Sequence, residues 1–154
     1  FVLQHKNRFE LLCWGGGPCK NLFEKSSSSN IQFFGSFKNP ESLEFIYSNI
    51  DLNFAVYGGV SSSEIGVELA LPNKLYESMF YHVPILCRDK TEVGKMAVKK
   101  GIGYSLNEAN FNTQLLSITR DKIEVMRVNC DSIETKDLID DGQSVIASLK
   151  TFLS

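Results

Sequence analysis

The sequence predicts an α/β fold, with a Rossmann-like parallel sheet that carries helices on both faces. Three observations predict it. Short runs of almost continuously apolar residues recur along the chain, as expected for strands that are buried on both faces. Segments with helical spacing of apolar residues lie between these runs, and strand–helix alternation is typical of a parallel sheet. Three of the runs end in glycine, where the backbone turns sharply or approaches a neighbour closely.

We expect five strands, each defined by one apolar run. They span residues 9–14, 31–34, 52–57, 84–87 and 102–106. The first three are followed by Gly15, Gly35 and Gly58. Because sheets of this kind bind ligands at the carboxyl ends of their strands, these glycines indicate the edge where a site should lie.

Four helices are expected between and after the strands. Asn39 followed by Pro40 is typical of an N-cap with proline at the first helical position, so the first helix should begin there. The second includes residues 75–83, and the third covers 93–100 although it contains Gly94. The fourth is a long amphipathic helix at the C-terminus. Its apolar stripe consists of Leu138, Val145, Ile146, Leu149, Phe152 and Leu153.

Composition narrows the class of protein. The 154 residues suit one domain, covering positions 1–154, and a net charge of -2 gives no support to a nucleic-acid partner. No apolar run approaches the roughly 18 residues of a membrane span, and no signal-peptide pattern is present. Together with cysteines that we expect to be reduced, these features favour a cytoplasmic protein.

The cysteines indicate neither disulfides nor a metal site. Four are present, without a Cys-x-x-Cys pair and with only two histidines, so we expect free thiols and no metal. Cys13 and Cys87 lie in apolar runs and should be buried and slow to react. The other two are Cys19 and Cys130.

Residues 71–86 carry the most chemical information. Asn73 is a good N-cap residue, so Lys74 should open a helix in which Glu77 lies one position beyond a capping-box glutamate. Lys74, Glu77 and Tyr81 share one helix face, opposite the apolar one. Amides at a helix start bind a diphosphate well, and a carboxylate accepts hydrogen bonds from a ribose diol. An exposed Lys74–Glu77 ion pair explains the same residues equally well.

A sequence motif around these residues favours the nucleotide-binding interpretation over the ion pair. Pro72-Asn-Lys-Leu-Tyr-Glu77, with Met79, Pro84 and Ile85, resembles the donor-site helix of family-4-type GT-B glycosyltransferases, P-[SN]-K-x-x-E-x-M-x-x-G-x-P-[VI]-[IL]. Residues 9–18 resemble the strand of that family ending in G-x-G-P. Residues 30–35 and 43–52 are similar to its N-I-x-F-x-G and L-x-x-x-Y-x-x-x-D-[LV] segments. The likeness covers residues 8–107 in the family's order and is greatest to enzymes that build bacterial surface and capsular polysaccharides.

The resemblance implies a role for each matching residue. Glu77 would hold the ribose hydroxyls of a nucleotide-sugar. The diphosphate would be contacted by the helix-start amides and by the glycine turn, which are Asn73, Lys74 and Leu75 and Gly15, Gly16 and Gly17. The base would lie against Ser36 and Phe37.

Two positions depart from the family pattern. Many members carry a second glutamate eight residues before the first, near the transferred sugar, but position 69 is Leu69. Glu68 is the nearest candidate for that catalytic role, and the alternatives are Glu64 or no counterpart at all. His82 stands where the family usually has glycine. We expect His82 on the apolar side of the helix, as a packed or hydrogen-bonded residue rather than a catalyst.

The function implied by the resemblance is that of a retaining hexosyltransferase. The chain would be the C-terminal half of a GT-B fold, binding a nucleoside-diphosphate sugar for transfer to a glycan or lipid-linked acceptor without metal or other cofactor. The acceptor-binding N-terminal domain would be absent. We therefore expect this chain alone to bind nucleotide weakly and to transfer no sugar, and the parent protein to be peripheral to the cytoplasmic membrane.

Three other classes of function stay open. One is a nucleotide-sugar epimerase of GT-B architecture. A second is a dinucleotide-binding oxidoreductase, although Lys20 stands where the G-x-G-x-x-G fingerprint requires glycine. The third is a flavodoxin-like or other non-catalytic Rossmann-like module for nucleotide binding or signalling. A screen for nucleotide binding would separate a signalling module from the leading hypothesis.

Overall fold

The computed structural model describes residues 1–16, 20–26, 28–56, 72–134 and Leu138. They form an α/β structure whose five strands are all parallel to their neighbours. The chain divides into two compact units, which we call unit 1 (Phe1–Ile50) and unit 2 (Asp51–Ser154). The five strands therefore belong to two small sheets, one in each unit, where the sequence predicted a single sheet.

Unit 1 is one strand–helix–strand motif with a short helix on each side. Its elements are a 3-10 helix Val2–His5, β1 Leu11–Cys13, α1 Lys20–Ser26, β2 Ile31–Phe33 and α2 Leu43–Ser48. Strands β1 and β2 pair in parallel, with Leu11 opposite Ile31. The buried Asn30 side chain donates to the carbonyl oxygens of Val2 (2.8 Å) and Phe9 (3.2 Å). This amide joins the N-terminal turn to the entry of the sheet.

Helix α2 begins three residues after the predicted Pro40. Backbone bonds from Ser42 N to Lys38 O (2.8 Å) and from Leu43 N to Pro40 O (2.9 Å) close turns ahead of the helix. The Ser42 hydroxyl also accepts from Lys38 N at 3.2 Å. The predicted start was therefore wrong because Asn39 and Pro40 belong to the turn. The apolar face was predicted correctly, since Leu43, Ile46 and Tyr47 are buried.

Unit 2 contains two further strand–helix–strand motifs and a helical region after them. Its elements are β3 Asn53–Ala55, α3 Asn73–Phe80, β4 Ile85–Arg88, α4 Glu92–Lys100, β5 Gly103–Leu106, a 3-10 helix Glu108–Asn110, α5 Phe111–Leu116 and α6 Arg120–Asp131. The sheet order is β3-β4-β5, with Ile85 aligned to both Asn53 and Gly103. Strand β4 is therefore the central strand.

The core of unit 2 packs helices α3, α4 and α6 against this sheet. Three consecutive residues of β4 are buried, as expected for a strand covered on both faces. The main cluster consists of Ala55, Leu75, Met79, Ile85, Cys87, Val93, Ala97, Ile102 and Cys130. Leu138 packs against it. The other residues of the predicted C-terminal helix, 139–153, lie outside the described part of the chain.

Two glycines allow close packing here, Gly94 between helix α4 and the end of β4, and Gly103 between β5 and β4. A methyl group at Gly94 would collide with the Arg88 carbonyl oxygen, and one at Gly103 with the carbonyl oxygen of Ile85. The N-cap Thr91 fixes the same helix start, because its hydroxyl donates to Arg88 O (2.7 Å) and accepts from Gly94 N (3.1 Å). Gly94, which weakened the helix prediction, is thus required by close packing.

Helices α1, α5 and α6 were not predicted. Helix α6 is capped by Thr119, whose hydroxyl accepts from Lys122 N at 3.3 Å. Its buried residues are Met126 and Cys130, four positions apart, whereas Val125 and Val128 are exposed among charged residues. Such a sparse apolar stripe gives a weak periodic signal. A Thr N-cap before a charged segment was the available sign of this helix.

The described cysteines are Cys13, Cys87 and Cys130, and all three are free thiols. Cys87 and Cys130 are fully buried, whereas Cys13 is half-buried, so its predicted burial was wrong. Burial raises the pKa of Cys87 to about 12. The pKa of Cys130 rises to about 11, mainly through burial and further through Asp131, while Arg127 opposes the rise. Both thiols are therefore protonated and poor nucleophiles at neutral pH.

Gly103→Ala tests the close packing of the sheet. The added methyl would also lie 2.7 Å from Ile85 Cγ2 and 3.1 Å from Ala97 Cβ. We expect a loss of about 2–3 kcal/mol in unfolding free energy, since backbone must shift to make room. Gly16→Ala, where the nearest atom is Ser36 Oγ at 3.7 Å, is the control and should cost below about 1 kcal/mol. Equal urea midpoints for the two variants would contradict this packing.

Alkaline pH tests the buried thiol of Cys87. Its folded-state pKa is raised, so native protein keeps a proton that the unfolded chain releases above about pH 9. The stability that the buried Cys87 thiol contributes is fully present below about pH 9 and is lost as pH rises towards 12. Between pH 8.5 and 10.5, the unfolding free energy of Cys87→Ala, measured with urea, should fall less steeply than that of wild type. The two slopes should differ by up to about 1.4 kcal/mol per pH unit. Val93→Ala, a core variant that retains both thiols, should keep the wild-type slope.

Candidate functional site

The glycine turns of unit 1 lie together at the ends of β1 and β2. Gly15 N donates to Gly35 O at 2.7 Å, so the two segments that leave the strands run side by side. Gly15 (φ 140°) and Gly35 (φ 75°) both adopt conformations that favour glycine. A methyl group at Gly16 would lie 3.7 Å from Ser36 Oγ. The structure therefore brings Gly15, Gly16 and Ser36 close together, while Gly17 lies outside the described residues.

Aromatic side chains surround these turns. The rings of Trp14 and Phe34 stack, with centroids 4.7 Å apart and planes 10° from parallel. Phe34 and Phe37 remain 49% and 41% exposed. The predicted base contact Phe37 thus presents an accessible ring beside Ser36. Trp14 and Phe34 were not among the predicted site residues.

Helix α3, the predicted donor-site helix, begins one residue earlier than expected. Its N-cap is Pro72, in an extended conformation, and Asn73 is already helical without a side-chain capping bond. The predicted capping role of Asn73 was therefore wrong. The shift places Glu77 still further from the capping-box position, so capping does not explain this carboxylate.

The amide of Leu75 at the start of helix α3 is already hydrogen-bonded within the helix. Leu75 N donates to Pro72 O at 2.9 Å, and the Leu75 side chain is fully buried. Leu75 is therefore an anchor rather than an open anion donor. Asn73 and Lys74 precede the first intrahelical bond, and the positive end of the helix dipole adds to their amides.

The two faces of α3 are divided as predicted. Leu75 and Met79 are buried, and so is Val83 beyond the helix end. Lys74 is exposed and Glu77 half-buried on the other face. The ion pairs of the described residues do not include one between Lys74 and Glu77.

A buried polar pair joins α3 to strand β3. Asn53 Nδ2 donates to Ser78 Oγ at 2.8 Å and to the Lys74 carbonyl oxygen at 3.2 Å. Asn53 is 6% exposed and Ser78 is fully buried. Neither residue was predicted to matter. The available sign was a polar residue at the head of an otherwise apolar strand.

His82 ends helix α3 in a left-handed conformation. Val83 N donates to Ser78 O (2.9 Å) and His82 N to Met79 O (3.3 Å), the two bonds of a Schellman motif. His82 has φ 56°, a conformation that favours glycine. The predicted placement of His82 on the apolar side was wrong. Its ring is 55% exposed, with Nδ1 2.5 Å from Asp131 Oδ1.

A second polar cluster follows strands β4 and β5. Asn107 Nδ2 donates to Asp89 Oδ2 at 2.7 Å, and Asn107 N donates to Gln114 Oε1 at 2.7 Å. Asn107 Oδ1 accepts from Ala109 N at 2.9 Å, which caps the 3-10 helix. The bonds within this cluster explain it as a structural cap for the helices after β5.

The predicted glutamates Glu68 and Glu64 lie outside the described residues. Within the described part of the chain, no group of three or more His, Cys, Asp or Glu residues is arranged to hold a metal ion. Among the same residues, no helix is long and apolar enough to cross a bilayer. No protein-family model matches this chain, and no curated protein or solved structure is significantly similar to it.

Two substitutions test whether His82 is held in a left-handed backbone conformation. His82→Ala loses the Asp131 contact and keeps a side chain at positive φ, whereas His82→Gly loses the same contact and removes the steric cost. We expect the glycine variant to be more stable than the alanine variant by about 1 kcal/mol in urea unfolding. Alanine at least as stable as glycine would show that this residue is not held at positive φ.

Proposed function

We propose that the chain is the donor-binding domain of a GT-B glycosyltransferase, which binds a nucleoside-diphosphate sugar for transfer of a hexosyl group to a glycan or lipid-linked acceptor. One observation carries the proposal. Lys74 and Glu77 lie on the accessible side at the start of a helix whose other side is fixed in the core by Leu75 and Met79. A cation, helix-start amides and a carboxylate one turn later suit a diphosphate followed by a ribose.

The charges along this helix match a diphosphate at the helix start and a ribose one turn later. The helix dipole and the amides of Asn73 and Lys74 favour the negative diphosphate oxygens, and the Lys74 ammonium adds a full positive charge. Glu77 follows at the distance of one turn. Its carboxylate can accept hydrogen bonds from two adjacent ribose hydroxyls, each worth about 1.5–3 kcal/mol because the acceptor is charged.

The fold is compatible with the proposal. Parallel strands joined by helices are the building blocks of Rossmann-like nucleotide-binding domains, which bind ligands beyond the carboxyl ends of the strands. A Rossmann-like domain, hexosyl transfer with retention, catalysis without metal and a cytoplasmic location belong to the same proposal. So do the predicted roles of Gly15, Gly16, Ser36 and Phe37 and the catalytic role of Glu68.

A nucleotide panel tests the proposal. We expect one of UDP, GDP, dTDP and ADP to bind this chain with a Kd near 1 mM, about -4 kcal/mol. At 10 mM that nucleotide should stabilise the fold by about 1.4 kcal/mol, measurable as a thermal shift. NMR titration should then shift amide signals of residues 73–77. No response to any of the four would overturn the proposal, and shifts confined to other residues would show that α3 is not the site.

Glu77→Ala tests the ribose contact. If the responding nucleotide is UDP, GDP or ADP, removing the carboxylate should cost about 2–4 kcal/mol of binding free energy, which would make binding undetectable by calorimetry or NMR. For dTDP, whose deoxyribose has a single hydroxyl, the loss should be about half as large. The fold should survive, since Glu77 is only half-buried. Glu124→Ala, which removes an exposed glutamate of α6, is the matched control and should bind like wild type. Wild-type affinity in Glu77→Ala would remove this residue from the site.

A further inference from the structure

Asn53 is a buried polar residue with an unusual set of partners. It opens strand β3, and its backbone N donates to Pro84 O at 2.8 Å. Its side-chain Nδ2 reaches two successive turns of helix α3, at the Lys74 carbonyl oxygen (3.2 Å) and at Ser78 Oγ (2.8 Å). One amide group thus links the edge strand of the sheet to the first turn of the helix.

Packing alone does not account for this residue. The aligned residue on β4 is Ile85, and the next inward residue on β3 is Ala55, both apolar and fully buried or nearly so. An apolar side chain at position 53 would continue that surface, whereas a buried amide is costly unless its hydrogen bonds are made. The Lys74 carbonyl already has the Ser78 amide as its expected partner in the helix. The bond from Asn53 is additional to it.

We infer that Asn53 is a positioning residue for the diphosphate-binding turn, an inference that rests on the proposed function. Its bond to the Lys74 carbonyl fixes the first turn of α3 relative to the sheet. The amides of Asn73 and Lys74 then stand in one place before the nucleotide arrives. Donors that are held in advance bind an anion more strongly, because binding does not have to order them.

Two substitutions separate positioning from stability. Asn53→Leu removes both bonds, whereas Ser78→Ala removes the Ser78 bond and keeps the bond to the Lys74 carbonyl. Each perturbs the same buried pair and should lower stability. We expect Asn53→Leu to weaken binding of the responding nucleotide (UDP, GDP, dTDP or ADP) about tenfold in NMR titration, as a misplaced contact group does. Ser78→Ala should bind within about twofold of wild type.

The outcomes distinguish this inference from the proposed function. If wild type binds and Asn53→Leu binds equally well, the positioning role is overturned and the proposed function stands. Equal weakening in Asn53→Leu and Ser78→Ala would also overturn it, since that result follows from lost stability alone. If wild type binds none of the four nucleotides, both are overturned. Should Asn53→Leu not fold, Asn53→Ala, which is smaller and lacks both bonds, takes its place with the same expected loss.

Discussion

The parallel pairing of β4 with a strand on each side is the interaction on which unit 2 depends. Every backbone group of a buried strand needs a partner, and β4 finds them in β3 and β5. Parallel neighbours in turn require crossover helices, and α3 and α4 are those crossovers. A methyl at Gly103 would collide with the Ile85 carbonyl oxygen on the neighbouring strand and would lie 3.1 Å from Ala97 Cβ of α4, so β5 fits closely against both. Helix positions are therefore set by the sheet.

The position of the candidate site on helix α3 is fixed by the packing of this helix on the sheet. Helix α3 is fixed on its inner side by Leu75 and Met79 and at its first turn by the Asn53 amide. Its far end is closed by the Schellman bonds around His82. The accessible side carries Lys74, which is exposed, and Glu77, which is half-buried. One face of the helix is therefore packed in the core, while the other face is accessible to a ligand.

Strong local patterns in the sequence predicted much of this structure. All five strands were located from short, largely apolar runs, three of which are followed by glycine. The two faces of α3 were also predicted, from the spacing of Leu75 and Met79. Helix α6 was missed because its buried residues are few, and the start of α2 because turns around Pro40 compete with a helix. Asn53 and Ser78 could not be predicted as a pair, since 25 positions separate them and only the fold brings them together.

The stacked Trp14–Phe34 pair gives the molecule a built-in optical reporter. Trp14 is the single tryptophan of the chain, and it belongs to unit 1, half-buried at the end of β1. Emission excited at the red edge of its absorption comes from unit 1 alone, whereas far-ultraviolet circular dichroism reports helices of both units. Comparing the two signals during one denaturation shows whether unit 1 and unit 2 melt as one cooperative body or in separate steps. A single ring pair thus makes the cooperativity of the whole chain visible without any added label.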